Sequence, residues 1–154
     1  MLSGEFRNMI DEKGRILIPS RLRNSLAGNS LYVTRGVERC LWLMLPEKWR
    51  SFSEKIMGGP GAMFDARTRL LQRRIIAPAQ ECEIDKSGRI HIPPTLRKAI
   101  GLEVKKEAVI LGINTFLELW NVDEYTTYVE ESEKAFVKAS QSLSETLFAA
   151  SRKE

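Results

Sequence analysis

Ile10–Pro19 reads IDEKGRILIP and Ile84–Pro93 reads IDKSGRIHIP, so seven of ten positions agree in residue and order. Each copy holds an apolar residue and Asp, two polar residues, Gly-Arg, an alternating run ending in Ile, and Pro. Gly14 and Gly88 suit a tight turn that needs positive φ, and Asp11 and Asp85 can accept a backbone N–H about two residues on. The decapeptide therefore reads as strand, turn, strand. Ile16 and Ile18, like Ile90 and Ile92, share one strand face, and Arg15 and Arg89 project from the other. Pro19 and Pro93 end the extended run and suit the first turn of a helix.

The likeness extends outward from the decapeptides. At an offset of 74, Leu22 and Arg23 match Leu96 and Arg97, and Leu26 matches Ile100. Two residues later in the second copy, Val33, Gly36, Val37, Leu41 and Leu43 match Val109, Gly112, Ile113, Leu117 and Leu119, and Trp49 matches Tyr125. The chain is thus read as one unit used twice. Residues 1–57 form the first unit, 58–78 a connector with a basic helix, and 79–150 the second unit with an extended C-terminal helix.

Within the first unit, residues 31–35 and 40–45 read as a hairpin after a short helix over 19–26. A second helix after Pro46 carries Trp49, Phe52 and Ile56 as a core-facing stripe. Gly58-Gly59-Pro60-Gly61 opens the connector. Residues 63–76 then look helical, with Met63, Leu70 and Ile75 apolar among Arg67, Arg69, Arg73 and Arg74. From Asp123 to about Ala150 one long helix is expected, its stripe of Tyr125, Val129, Ser132, Phe136, Ala139, Leu143 and Leu147 packing on a neighbouring unit or subunit. Ser151–Glu154 is expected to fray.

With 154 residues, 43% of them hydrophobic, the chain can bury an ordinary core. No apolar run approaches the roughly 18 residues that span a bilayer, and residues 1–8 lack a signal-peptide plan, so a cytoplasmic, non-membrane protein is expected. Cys40 and Cys82 form no CxxC pair and read as reduced thiols. Neither a metal nor a cofactor is expected.

The net charge of +4 is unevenly placed. Residues 1–78 hold 14 Lys and Arg against 7 Asp and Glu, and residues 79–154 hold 10 against 13. A basic first half fits a polyanionic partner, although a solvated surface fits it equally. Enzyme chemistry finds little support: His91 is the only histidine, and neither GxSxG, HExxH nor a phosphate loop with its Lys occurs. No small-molecule substrate is expected.

Arg15 and Arg89 are the leading candidates for function. The simplest account pairs each with the Asp four residues earlier, merely stiffening a turn. Occurring twice, the same guanidinium at a surface turn also suits a phosphate or the O6 and N7 of guanine. On that view Asp11 and Asp85 orient the fork, and Lys13 and Lys86 supply point charge. Weak single contacts would be strengthened by oligomerisation.

The DEKGRILIP and DKSGRIHIP segments, with LPEKW after the first hairpin and LGINTFLELWN near the second, resemble the MraZ family of bacteria across essentially the whole chain. The resemblance implies an α+β fold: two tandem AbrB-like swapped-hairpin units in a pseudo-twofold small barrel, with peripheral helices and a long C-terminal helix. It also implies a nucleoid-associated transcriptional regulator, typically a repressor of the division and cell-wall gene cluster that holds its own gene. Such a protein forms a ring-like homo-oligomer on double-stranded DNA and recognises short G-rich promoter repeats. Asp11, Arg15, Asp85 and Arg89 occupy the family's DNA-contacting positions. Lys13 aligns with Ser87 and Glu12 with Lys86, so the copies differ there. With Arg7 where the second copy has Glu81, the first copy is expected to be the stronger reader. The alternative is an oligomeric protein-interaction scaffold without specific DNA binding, which a salt titration separates.

Overall fold

A computed structural model of the chain describes residues 1–152. Eight strands make a mixed α+β structure: β1 (Leu2–Met9), β2 (Arg15–Leu17), β3 (Ser30–Arg35), β4 (Leu41–Met44), β5 (Gln80–Glu83), β6 (Arg89–His91), β7 (Glu107–Asn114) and β8 (Phe116–Asn121). Six form an antiparallel sheet in the order β1-β7-β8-β4-β3-β5, and β2 and β6 form a separate two-stranded ribbon. The six-stranded sheet keeps two edges and does not close on itself.

This order is symmetric under exchange of the two sequence copies. Strand β1 of the first copy lies on β7 of the second, and β5 of the second lies on β3 of the first. Across the middle, Trp42 faces Glu118, two positions related by the offset of 76. In the ribbon, Ile16 faces Ile90, two positions related by 74. A pseudo-twofold axis passes through both pairs. The expected β3–β4 hairpin is present, but β2 takes its ladder partner from 74 residues away and not from β1.

The alternation read in the decapeptide sets the core. Ile16, Ile18, Ile90 and Ile92 are fully buried in one cluster with Leu22, Leu96, Leu43 and Leu119. Each such side chain contributes about 1.5–3 kcal/mol by leaving water. Pro19 and Pro93 cap the short helices α1 (Ser20–Arg23) and α4 (Pro94–Ala99), whose Leu22 and Leu96 reach that core. Helix α2 (Pro46–Met57) buries Trp49, which stacks on Tyr32 at 5.5 Å, and Phe52 packs beside it.

The connector departs from a single helix. It runs as a 3₁₀ turn (Ala62–Phe64), α3 (Ala66–Leu71) and a π turn (Gln72–Ile76). The break is at Asp65, whose extended backbone and side chain cap α3 through the Arg67 N–H. Met63 and Leu70 are consequently exposed, and only Ile75 of the expected stripe is buried. Thr34, a fully buried polar residue of β3, donates its hydroxyl to the Ile75 carbonyl and pins the π turn to the sheet.

Two compact bodies result, Met1–Val122 and the helical segment from Asp123 onward. The latter is two helices where one was expected, α5 (Val122–Glu131) and α6 (Glu133–Arg152), with Ser132 between them. Val129, Phe136, Leu143 and Leu147 of the expected stripe are exposed in this chain. Ser151 and Arg152 still belong to α6, whereas Lys153 and Glu154, also expected to fray, lie outside the described residues. Among the described residues, no helix is long and apolar enough to cross a membrane.

Candidate nucleic-acid interface

Both DxxGR turns are built by one set of bonds. In the first, the Asp11 N–H donates to the Arg15 carbonyl at 2.9 Å and the Gly14 N–H to the Asp11 carbonyl at 3.0 Å. Asp11 Oδ1 accepts the N–H groups of Lys13 and Arg15, each at 2.9 Å. The second turn repeats this with Asp85, Ser87, Gly88 and Arg89 at 2.8–3.0 Å. Gly14 and Gly88 take φ of 78° and 85°, as the turn required.

The two arginines are held differently. Arg15 Nε donates to Asp11 Oδ2 at 2.9 Å, and its Nη1 lies 4.0 Å from Asp85 Oδ2. One guanidinium therefore links both turns, with its side chain still 37% exposed. In the second copy, Ser87 stands where the first has Lys13. Its hydroxyl donates to Asp85 Oδ1 at 2.6 Å and accepts from Arg89 Nη1 at 3.2 Å. Arg89 is thus tied to a hydroxyl, and among the described residues its guanidinium forms no ion pair.

The carboxyl groups respond to these partners. The Arg15 backbone N–H, followed by its guanidinium, holds Asp11 below the ordinary aspartate value against the opposing effect of desolvation. Asp85 is lowered first by the Ser87 hydroxyl, then by the Arg89 N–H, with the charge of Arg15 a minor cause. Both carboxylates are ionised at neutral pH and accept hydrogen bonds from their turns.

The other expected site residues have different surroundings. Lys13 and Lys86 are exposed, at non-equivalent positions of the two turns. Arg7 lies on β1 and reaches Glu107 of β7 at 3.9 Å, while its counterpart Glu81 accepts from Ser30 at 2.8 Å. His91 is exposed on the ribbon, opposite Arg15. The connector's arginines are mostly engaged by its surroundings. Arg67 pairs with Asp65, Arg69 donates to the Met63 carbonyl, and Arg74 donates to the carbonyls of Gly36 and Val37.

Arg23 and Arg97 were given no role by the sequence reading, yet both touch the turns. The only signal was their match at the offset of 74. Arg23 Nε donates to the Ile18 carbonyl at 2.8 Å and Arg97 Nε to the Ile92 carbonyl at 3.0 Å.

Neither thiol joins a disulfide. Burial pushes the Cys40 thiol well above its ordinary range, with Glu118 and Glu38 adding to the shift. Donor atoms of Glu38, Cys40 and Glu118 lie within 4.8 Å of one another. The Glu118 oxygens there accept the indole N–H groups of Trp42 at 3.2 Å and Trp120 at 3.0 Å.

Comparison with known proteins agrees with the internal duplication. The family model described as "MraZ protein, putative antitoxin-like" matches twice, over residues 1–73 and 75–146. A protein of Treponema denticola named transcriptional regulator MraZ is 46% identical over 147 residues, covering 96% of this chain and all of that protein. Proteins of the same name from Treponema pallidum and Natranaerobius thermophilus are 40% and 35% identical, covering 92% and 88% of this chain and 93% and 92% of theirs. With both halves matched by one model and nearly the full length shared with these relatives, the chain belongs to the MraZ family.

Proposed function

We propose that this protein is a sequence-specific DNA-binding transcriptional regulator that reads repeated G-rich promoter elements through its two DxxGR turns. The single observation that carries the proposal is the adjacency of those turns, with Arg15 within ion-pair distance of both Asp11 and Asp85. One surface then offers two guanidinium forks together. Arg15 and Arg89 are the contacts to guanine edges or phosphates, Asp11 orients the fork of Arg15, and Lys13, Lys86 and Arg7 add phosphate attraction. Because the Asp11 bond to Nε orients the Arg15 guanidinium and the Nη1 contact to Asp85 is a long 4.0 Å that a ligand can displace, the first copy is the stronger reader. The regulator acts in the cytoplasm on the nucleoid, as a repressor of the division and cell-wall gene cluster including its own gene. It is not an enzyme.

The exposed Val129, Phe136, Leu143 and Leu147 on the C-terminal helices supply an apolar surface for a ring-like homo-oligomer. They also favour the second reading, a scaffold that assembles without specific DNA binding. Footprinting on DNA upstream of the protein's own gene distinguishes the two. Protection at regularly spaced repeats, weakening steeply with salt and abolished in an Arg15→Ala/Arg89→Ala double variant, is the expected result. Unchanged protection by a folded and assembled double variant would refute readout through the DxxGR turns, and no protection by the unaltered, assembled protein would leave the scaffold.

A further inference from the structure

The two turns are braced crosswise by a pair of arginines from the helices that follow them. A Cβ built on Gly14 of the first turn would lie 3.0 Å from Nε and Nη2 of Arg97, which belongs to the second copy. A Cβ on Gly88 of the second turn would lie 2.5 Å from Cζ and Nη1 of Arg23, which belongs to the first. Each guanidinium therefore packs against the bare face of the other copy's turn glycine. Positive φ favours glycine at both positions, and the missing Cβ leaves room for the guanidinium to lie on the Cα.

Backbone bonds close each brace into a loop. The Gly14 carbonyl accepts the Ile92 N–H at 2.9 Å, and the carbonyl of Ile92 in turn accepts Arg97 Nε at 3.0 Å. Symmetrically, the Gly88 carbonyl accepts the Ile18 N–H at 2.9 Å, and the Ile18 carbonyl accepts Arg23 Nε at 2.8 Å. The same geometry arises twice, from residues matched at the offset of 74. Both arginines are half-buried, and their Nε bonds go to backbone and not to a carboxylate.

We propose that Arg23 and Arg97 are positioning residues that act across the repeat, Arg97 holding the turn that presents Arg15 and Arg23 the turn that presents Arg89. The consequence for binding rests on the DNA reading above. A turn fixed before contact loses less conformational freedom on binding, so removing a brace weakens recognition by the turn it supports. A lysine keeps the charge but has no planar fork to lie on a glycine.

The test uses the full-length, assembled protein with two readouts. Hydrogen exchange should rise over residues 11–16 in Arg97→Ala and over 85–90 in Arg23→Ala, with the opposite turn unchanged in each. Arg97→Lys and Arg23→Lys should give the same pattern, and they replace the alanine variants should those fail to fold. In binding to a promoter fragment, Arg97→Ala and Arg15→Ala should be non-additive by more than about threefold, whereas Arg97→Ala and Arg89→Ala should multiply. Arg23→Ala should couple to Arg89→Ala in the same way. Coupling of each arginine to its own copy's turn, or equal loosening of both turns, would overturn the cross-brace alone. Unchanged affinity in Arg15→Ala and in Arg89→Ala would defeat readout through the two turns and take this role with it.

Discussion

On the proposed DNA reading, replacing Arg15 and Arg89 one at a time should give unequal losses. A bidentate guanidinium contact to guanine is worth about 1–3 kcal/mol, so a midpoint near 2 kcal/mol makes Arg15→Ala about 30-fold weaker per engaged site. Arg15 approaches DNA with Nε already fixed to Asp11 at 2.9 Å, and its contact to Asp85 is long, exposed and readily screened. Among the described residues the Arg89 guanidinium has one bond, at 3.2 Å to the Ser87 hydroxyl, and must order its fork on binding. Immobilising such a side chain costs about 0.5–1.5 kcal/mol, which lowers the net contribution of Arg89 to roughly 1 kcal/mol, or about fivefold. Fluorescence anisotropy on a labelled fragment carrying one repeat element measures both, at fixed salt and with the oligomeric state checked for each variant. If Arg89→Ala costs more than Arg15→Ala, pre-orientation by Asp11 is not what distinguishes the two copies.

Two further predictions concern the frame behind the turns. Thr34→Val, nearly isosteric, leaves the Ile75 carbonyl without the buried hydroxyl that it accepts. It should lower stability by about 1–3 kcal/mol in denaturant titration, and an unchanged midpoint would show that this bond contributes nothing. Acid should act through the turn aspartates, both depressed below the ordinary value of 3.8. The unfolded chain takes up these protons first as pH falls, so the stabilisation is complete above that value and is lost as pH drops through the folded values. An Asp11→Asn/Asp85→Asn variant should therefore lose less stability than wild type between about pH 5 and pH 2; parallel acid profiles would exclude the turns as the source.

The parts of the fold that were legible in the sequence are those set by local chemistry. The Asp and Gly spacing specified the turn, and it appears with the N–H groups of Lys13 and Ser87 on the aspartates. Alternation placed Ile16, Ile18, Ile90 and Ile92 inward, because a strand's period is two whatever its neighbour. For the same reason the pattern was silent about partners: nothing in Arg15–Leu17 says that its ladder is completed by Arg89–His91. The cross-braces share that blindness. Arg23 and Arg97 could be matched by offset, but their contacts join a helix of one copy to a turn of the other. In the connector, a periodic reading of 63–76 overlooked that Asp65 competes for backbone N–H groups and starts a new helix, turning Met63 and Leu70 outward.

Duplication within one chain permits something that a symmetric pair of separate subunits does not. On the pseudo-twofold axis, equivalent positions must face each other, and identical residues there can only be self-complementary, as Ile16 and Ile90 are. At the second crossing the chain places unlike residues, and the Trp42 indole donates to Glu118 at 3.2 Å, a bond that two tryptophans or two glutamates could not form. Lys13 and Ser87 show the same freedom off the axis. The shared backbone scaffold keeps both turns alike, while Ser87 takes up Asp85 and Arg89 and leaves Asp85 Oδ2 nearer to Arg15 than any ion-pair partner of its own copy. Two separate copies of one gene product could not hold that difference in a fixed orientation. In a single chain every Asp11-oriented fork is accompanied by one Ser87-tethered fork, so any assembly of this chain would present the two kinds in a constant one-to-one ratio.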